Sequence, residues 1–191
     1  MPITAVVLCQ LLFSSSVFFN QERLNETPKV RELGLKICHE VFEEAVAIDV
    51  NPAVALSAAY TENKFKVGSN RSLGMMGVDK FTVGWPCTEK KPLNCDVKRG
   101  VEALKVNVVT YGCFKDLGEF SKKLLKTKGK KIHREWANSQ PSCSDTDWDK
   151  VLCHYNKALK CQRSDRFAKV LIKNAVFLVD LLEKKGFELS W

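Results

Sequence analysis

The chain has 191 residues, a length that suits one domain with its own hydrophobic core, and its apolar fraction of 45% is ordinary for a globular protein. Its net charge of +8 suggests an anionic partner such as nucleic acid, an anionic membrane face or the bacterial wall polymer. Nucleic acid is not expected, because no recognised binding motif occurs and the aromatics do not interleave with the basic residues as a base-stacking platform requires.

The first 19 residues carry no charge, and residues 3–13 are mostly apolar. Such a segment resembles the apolar part of a secretory signal or a short anchor, although it lacks a basic start and is slightly short for a membrane span. A buried N-terminal helix is the alternative. Residues 1–20 are therefore set apart as an apolar signal, anchor or assembly helix with a capacity for membrane contact, and residues 29–191 as the main domain.

Within 30–48, apolar side chains at Val30, Leu33, Ile37, Val41, Phe42 and Ala45 form a helical stripe. Asn51-Pro52 then supplies an N-cap and a first-turn proline. The helix that follows carries Ala53, Leu56, Ala59 and Tyr60, and its small residues predict a central, buried position. Gly68, Gly74, Gly77 and Gly84 mark a loop region, and 86–95 reads as a second loop. Residues 97–111 predict a helix stopped by Gly112, and 114–125 a further short helix. The stretch 129–146 is polar and turn-rich. Residues 147–159 and 166–185 predict two more helices, the latter long and apolar. No strand-period segment competes, so the fold class is all-α.

Eight cysteines favour an oxidising compartment with several disulfides. Cys9 lies in the apolar segment. The seven beyond it are an odd number, which predicts one thiol left free or paired between chains. No Cys-x-x-Cys pair occurs and the three histidines are scattered, so no metal is expected. No cofactor is expected either.

Glu62 closes the apolar run Pro52-Ala-Val-Ala-Leu-Ser-Ala-Ala-Tyr-Thr-Glu62, and the loop segment Ser72-Leu-Gly74-Met75-Met76-Gly77-Val78 follows it. A carboxyl at the end of an apolar helix beside such a loop is partly desolvated, which raises its pKa. An acid kept protonated near neutrality can donate a proton to a glycosidic oxygen. The plain alternative is an exposed residue in a C-terminal helical turn. Asp79 is the nearest sequence candidate for a second carboxylate, and it reads more simply as a turn cap. Met75 and Met76 are flexible apolar residues suited to a sugar groove, or to the core.

Glu62-Asn63, the Ser72–Val78 loop, Tyr155-Asn156-Lys157-Ala158 and Leu93-Asn-Cys95-Asp-Val-Lys-Arg-Gly100-Val-Glu-Ala-Leu104 stand in one order along the chain. Together they resemble the soluble lytic transglycosylase and goose-type lysozyme superfamily, in particular its small specialised bacterial and phage members. That family shows a helix ending in Glu-Ser, a Ser-x-Gly-Leu-Met-Gln-Val loop and a Tyr-Asn-Ala-Gly motif. The resemblance spans about residues 30–180. This chain departs from the pattern at Asn63, Gly77 and Ala158, which bear on substrate grip more than on fold.

The resemblance implies a lysozyme-like domain that cuts the β-1,4 bond between N-acetylmuramic acid and N-acetylglucosamine in peptidoglycan. Glu62 would be the single acid/base. Ser72 would place substrate, and Tyr155 and Asn156 would approach the acid or the sugar. The setting would be extracytoplasmic or virion-associated, opening the wall locally for a phage or a secretion apparatus. Two other readings stand beside it: a hydrolysing goose-type muramidase, and a degenerate wall-binding or virion structural protein with the same fold.

Overall fold

A computed structural model describes residues 4–14, 27–65, 76–77, 92–113, 135–143, 145–157, 161 and 166–187, with the side chains of 92–93 and 156–157 excepted. The expected short helix at 114–125 lies outside these residues. All regular structure among them is helical, in agreement with the all-α expectation. The elements are α1 (Ala5–Ser14), α2 (Pro28–Ala47), α3 (Pro52–Asn63), α4 (Pro92–Asn107), a π-helical continuation of α4 (Val108–Cys113), α5 (Trp148–Lys157) and α6 (Arg166–Glu183). No described helix is long and apolar enough to cross a membrane.

Helix α3 is the axle of the fold. The Asn51 side chain accepts hydrogen bonds from the amides of Ala53 (2.9 Å) and Val54 (3.2 Å), and Pro52 sits where no amide hydrogen is needed. Every residue from Ala53 to Ala59 is buried. This burial on all sides follows from composition: alanines and Ser57 let neighbouring helices approach closely. Helix α2 packs on one side and α6 on another, while α4 bridges α2 and α5. One continuous core results, drawing Ile37 and Val41 from α2, Leu56 from α3, Leu104 from α4, Leu152 from α5 and Leu171 and Leu178 from α6.

The apolar N-terminal segment contributes to the same core over its described residues. Leu8 and Leu12 of α1 are fully buried, and Cys9 forms a disulfide with Cys38 of α2. That bond corrects the cysteine reckoning, which left Cys9 out and expected a thiol free or paired between chains. Cys113 pairs with Cys143 and Cys153 with Cys161, and Cys95 is also disulfide-bonded, so no described cysteine is free. Cross-linking α1 to α2 across 29 residues removes unfolded-state freedom on the order of 3 kcal/mol.

Helix boundaries differ from expectation in two places. Helix α4 starts at Pro92, inside the stretch 86–95 expected as a loop. Proline is well suited to a first turn, so Pro92 starts the helix. Gly112 does not stop it, because the backbone continues in π-helical form to Cys113. Gly112 serves instead as a point of close approach. A Cβ there would lie 2.7 Å from Val151 and 2.8 Å from Thr146. The widened turn also brings Tyr111 flat against His154 of α5, with ring centroids 3.7 Å apart and planes 5° from parallel. Helix α6 ends at Glu183, close to the expected 185; Gly186 takes φ 79° and the Phe187 amide donates back to the Leu182 carbonyl at 3.0 Å.

A polar bolt joins the α2–α3 corner to the segment after residue 135. Lys105 of α4 has no exposed surface, and its ammonium donates to the Asp49 carbonyl (2.9 Å) and Ser142 Oγ (2.9 Å). The Asp49 carboxylate lies 3.5 Å away and also accepts from the Ser142 amide. Burial pushes the Lys105 pKa down, and the Asp49 charge and hydrogen bond oppose that shift.

Candidate active site

Glu62 stands in the last turn of α3, half-buried where the all-round packing of the helix opens. The neighbouring Thr61 hydroxyl accepts a hydrogen bond from Asn174 of α6 (3.2 Å), which fixes this helix end laterally. The helix then closes on two successive non-glycine residues with left-handed backbone, Lys64 (φ 51°) and Phe65 (φ 56°). Such residues cost of order 1–3 kcal/mol each unless the surroundings hold them. The surroundings do so here. The Lys64 amide donates to the Tyr60 carbonyl (2.8 Å), and the Phe65 ring is 1% exposed between Phe13 of α1 and Tyr60.

The turn at Met76-Gly77 comes against the Glu62 carboxyl. Gly77 adopts φ 70°, and a Cβ on it would sit 2.4 Å from both Cδ and Oε2 of Glu62. No side chain fits there. The family pattern carries a glutamine where this chain has Gly77. The structure supplies a local reason for glycine: the left-handed backbone and the carboxyl both exclude a Cβ.

Two other contacts hold the turn. The Tyr155 phenol of α5 donates to the Met76 carbonyl at 2.6 Å. The Met76 side chain is fully buried against Gly100 of α4, where an added Cβ would lie 2.5 Å from the methionine Cβ and 2.6 Å from its sulfur. Tyr155 also packs on Ala103, one turn further along α4.

The carboxyl of Glu62 is thereby poorly hydrated. Its pKa is raised from 4.5 to about 7, with burial as the cause. The pKa of Tyr155 is pushed well above its usual 10, first by burial and then by the nearby Glu62 charge. Glu62 thus titrates where it can give a proton and take one back near neutrality, while Tyr155 stays a neutral donor.

Of the residues singled out from sequence, Glu62, Met76 and Tyr155 come together. Met76 takes the core alternative: its side chain is buried, because the Gly100 notch admits it, and its backbone carbonyl serves the site. Tyr155 gives its hydrogen bond to that carbonyl instead of to the acid. Asn156 follows Tyr155 in α5, with its side chain outside the described residues. Ser72, Met75 and Asp79 also lie outside them. Sequence reasoning missed Gly100 and the Phe13–Phe65 stack. A glycine inside the helical pattern of α4 was an available signal for close approach, whereas the ring contact spans 52 positions and leaves no local trace. Among the described residues no cluster of three or more His, Cys, Asp or Glu is arranged to hold a metal.

No protein-family model, no curated protein and no solved structure matches this chain.

Proposed function

We propose that the protein is a peptidoglycan lytic transglycosylase with a lysozyme-like fold, cutting the bond between N-acetylmuramic acid and N-acetylglucosamine. The observation that carries this reading is the Glu62 carboxyl, raised to a pKa of about 7 by burial at the end of an apolar helix. In its protonated form Glu62 donates to the glycosidic oxygen as the bond to C1 breaks. The resulting carboxylate then takes the proton from the muramoyl C6 hydroxyl as that oxygen attacks C1, leaving a 1,6-anhydro end. One group that titrates near neutrality serves both steps, and no second carboxylate is required. Tyr155 fixes the turn beside the acid through the Met76 carbonyl.

The disulfides support an extracytoplasmic or virion-borne setting, where thiols stay oxidised. The net charge of +8 would hold the enzyme on the anionic wall. The partner is the glycan strand, with a phage or secretion apparatus as the larger assembly.

The test is digestion of purified peptidoglycan followed by mass analysis of the fragments. Anhydro-muramoyl ends that disappear with Glu62→Gln support the proposal. Reducing ends from wild type would make the protein a hydrolysing muramidase. Binding to wall sacculi with no fragments released would leave a wall-binding protein.

A further inference from the structure

We propose that α1 is a positioning element of the Glu62 site: clamped to α2 by Cys9–Cys38, it uses the Phe13 ring to hold Phe65, and through Phe65 the left-handed turn that closes α3. The inference rests on the reading of Glu62 as the functional acid, but it stands on a separate set of contacts.

Phe13 lies near the end of α1, and its ring centroid is 5.7 Å from that of Phe65, the planes tilted by 31°. Phe13 is 7% exposed, so its ring is committed to this contact and to the surface of α2 beneath it. Gly34 makes that approach to α2 possible. A Cβ there would lie 2.9 Å from the Phe13 ring and 3.4 Å from the Phe65 carbonyl, so α1, α2 and the turn after α3 meet at one glycine. Two tethers fix the position of α1. Cys9, one turn before Phe13, is bonded to Cys38, and Arg31 Nη2 donates to the Phe13 carbonyl at 3.3 Å.

What these contacts hold is strained. Lys64 and Phe65 both take positive φ, and neither residue type favours it. Without the Phe13 ring, Phe65 would keep only Tyr60 as a ring neighbour among the described residues, and the turn would relax toward ordinary backbone. Glu62 lies two residues before this turn, so relaxation changes its distance from Gly77 and its access to water. Among the described residues, the ionisable group facing Glu62 from the packed elements is Tyr155 on α5; Met76 and Gly77 offer backbone, and α6 offers the neutral Asn174 beside Thr61. Lys64 belongs to the turn itself. Water entry is therefore the dominant change to expect, and it favours the carboxylate.

The experiment follows the titration of Glu62 by carbon-13 NMR of its side-chain carboxyl, in the full-length oxidised protein, together with the pH profile of wall digestion. The variants are Phe13→Ala, Phe13→Leu, the double variant Cys9→Ser with Cys38→Ser, and Leu171→Ala as a control that weakens the core through α6. Phe13→Ala is expected to lower the Glu62 midpoint by about one pH unit and to move the alkaline limb of the pH profile with it. Phe13→Leu should restore most of the shift, and the cysteine pair should show part of it. Leu171→Ala should lower thermal stability and leave the midpoint in place.

An unchanged midpoint in folded Phe13→Ala, or an equal shift in Leu171→Ala, makes α1 a mere cover and overturns the proposal. A wild-type midpoint near 4.5 overturns it as well, since no dry setting would then exist to maintain. A high midpoint that falls in Phe13→Ala, in a protein that digests no wall, supports the positioning role while refuting the enzymatic reading.

Discussion

Replacing Glu62 by glutamine tests the physical basis of the site without any substrate. The folded carboxyl has a pKa of about 7 against 4.5 for an unperturbed glutamate. Between those values the folded protein keeps a proton that the unfolded chain has lost. Folding stability therefore falls as pH rises from 4.5 to 7, and the full cost is present above 7. A carboxyl wholly removed from water with that difference would cost about 3 kcal/mol. Glu62 is only partly covered, and solvent screening reduces the figure to about 1–2 kcal/mol. Glutamine has nearly the same shape and no charge to desolvate. The variant should thus melt with wild type at pH 4 and above it at pH 8, by about 2–8 °C for a chain of this size. Melting followed by circular dichroism at 222 nm from pH 4 to 8.5 reads this directly. Parallel curves for the two proteins would refute the dry-carboxyl reasoning, whatever the protein does to cell walls.

Further outcomes follow from the neighbouring contacts. Gly77→Ala should abolish wall digestion and lower stability by about 1–3 kcal/mol, since its Cβ would meet the Glu62 carboxyl and the backbone is left-handed; denaturant melts measure the stability loss. Tyr155→Phe should cost about 1–2 kcal/mol by leaving the Met76 carbonyl without its donor, and activity should fall further than stability as the turn loosens. Asn51→Ala should destabilise by about 0.5–2 kcal/mol through loss of the α3 cap and leave the Glu62 midpoint unchanged in NMR titration. Lys105→Met should lower stability by about 1–3 kcal/mol in urea melts by unfastening Asp49 from Ser142.

The parts of the fold legible in sequence were those with local causes. Asn51-Pro52 announced the start of α3, the alanine-rich run announced its burial, and the apolar spacing after residue 166 announced α6. Glu62 was legible for the same reason, because an acid at the end of an apolar helix is a local pattern. What could not be read depends on residues far apart in the chain. The charge of Lys105 suggests a surface position, and only the carbonyl of Asp49 and the hydroxyl of Ser142, brought from other segments, make its burial tolerable. Phe13 stood in a segment open to a signal, an anchor or a buried helix, because hydrophobicity does not say what it will touch. Gly112 looked like a helix stop, since the same residue type serves both for termination and for close packing. Met76 suits either a groove wall or the core, and only the notch at Gly100, 24 positions away, decides for the interior.

The π-helical stretch after α4 carries a consequence for how the chain tolerates length change. An α-helix advances about 100° per residue, so one residue more or fewer turns the rest of that helix by that angle. Shortening 108–113 by a single position would rotate Tyr111 off the His154 ring and point Cys113 away from Cys143. Substitution is restricted here too, since a Cβ on Gly112 would meet Val151 and Thr146. The segment thus sets the angular phase at which Tyr111 meets His154 and Cys113 meets Cys143.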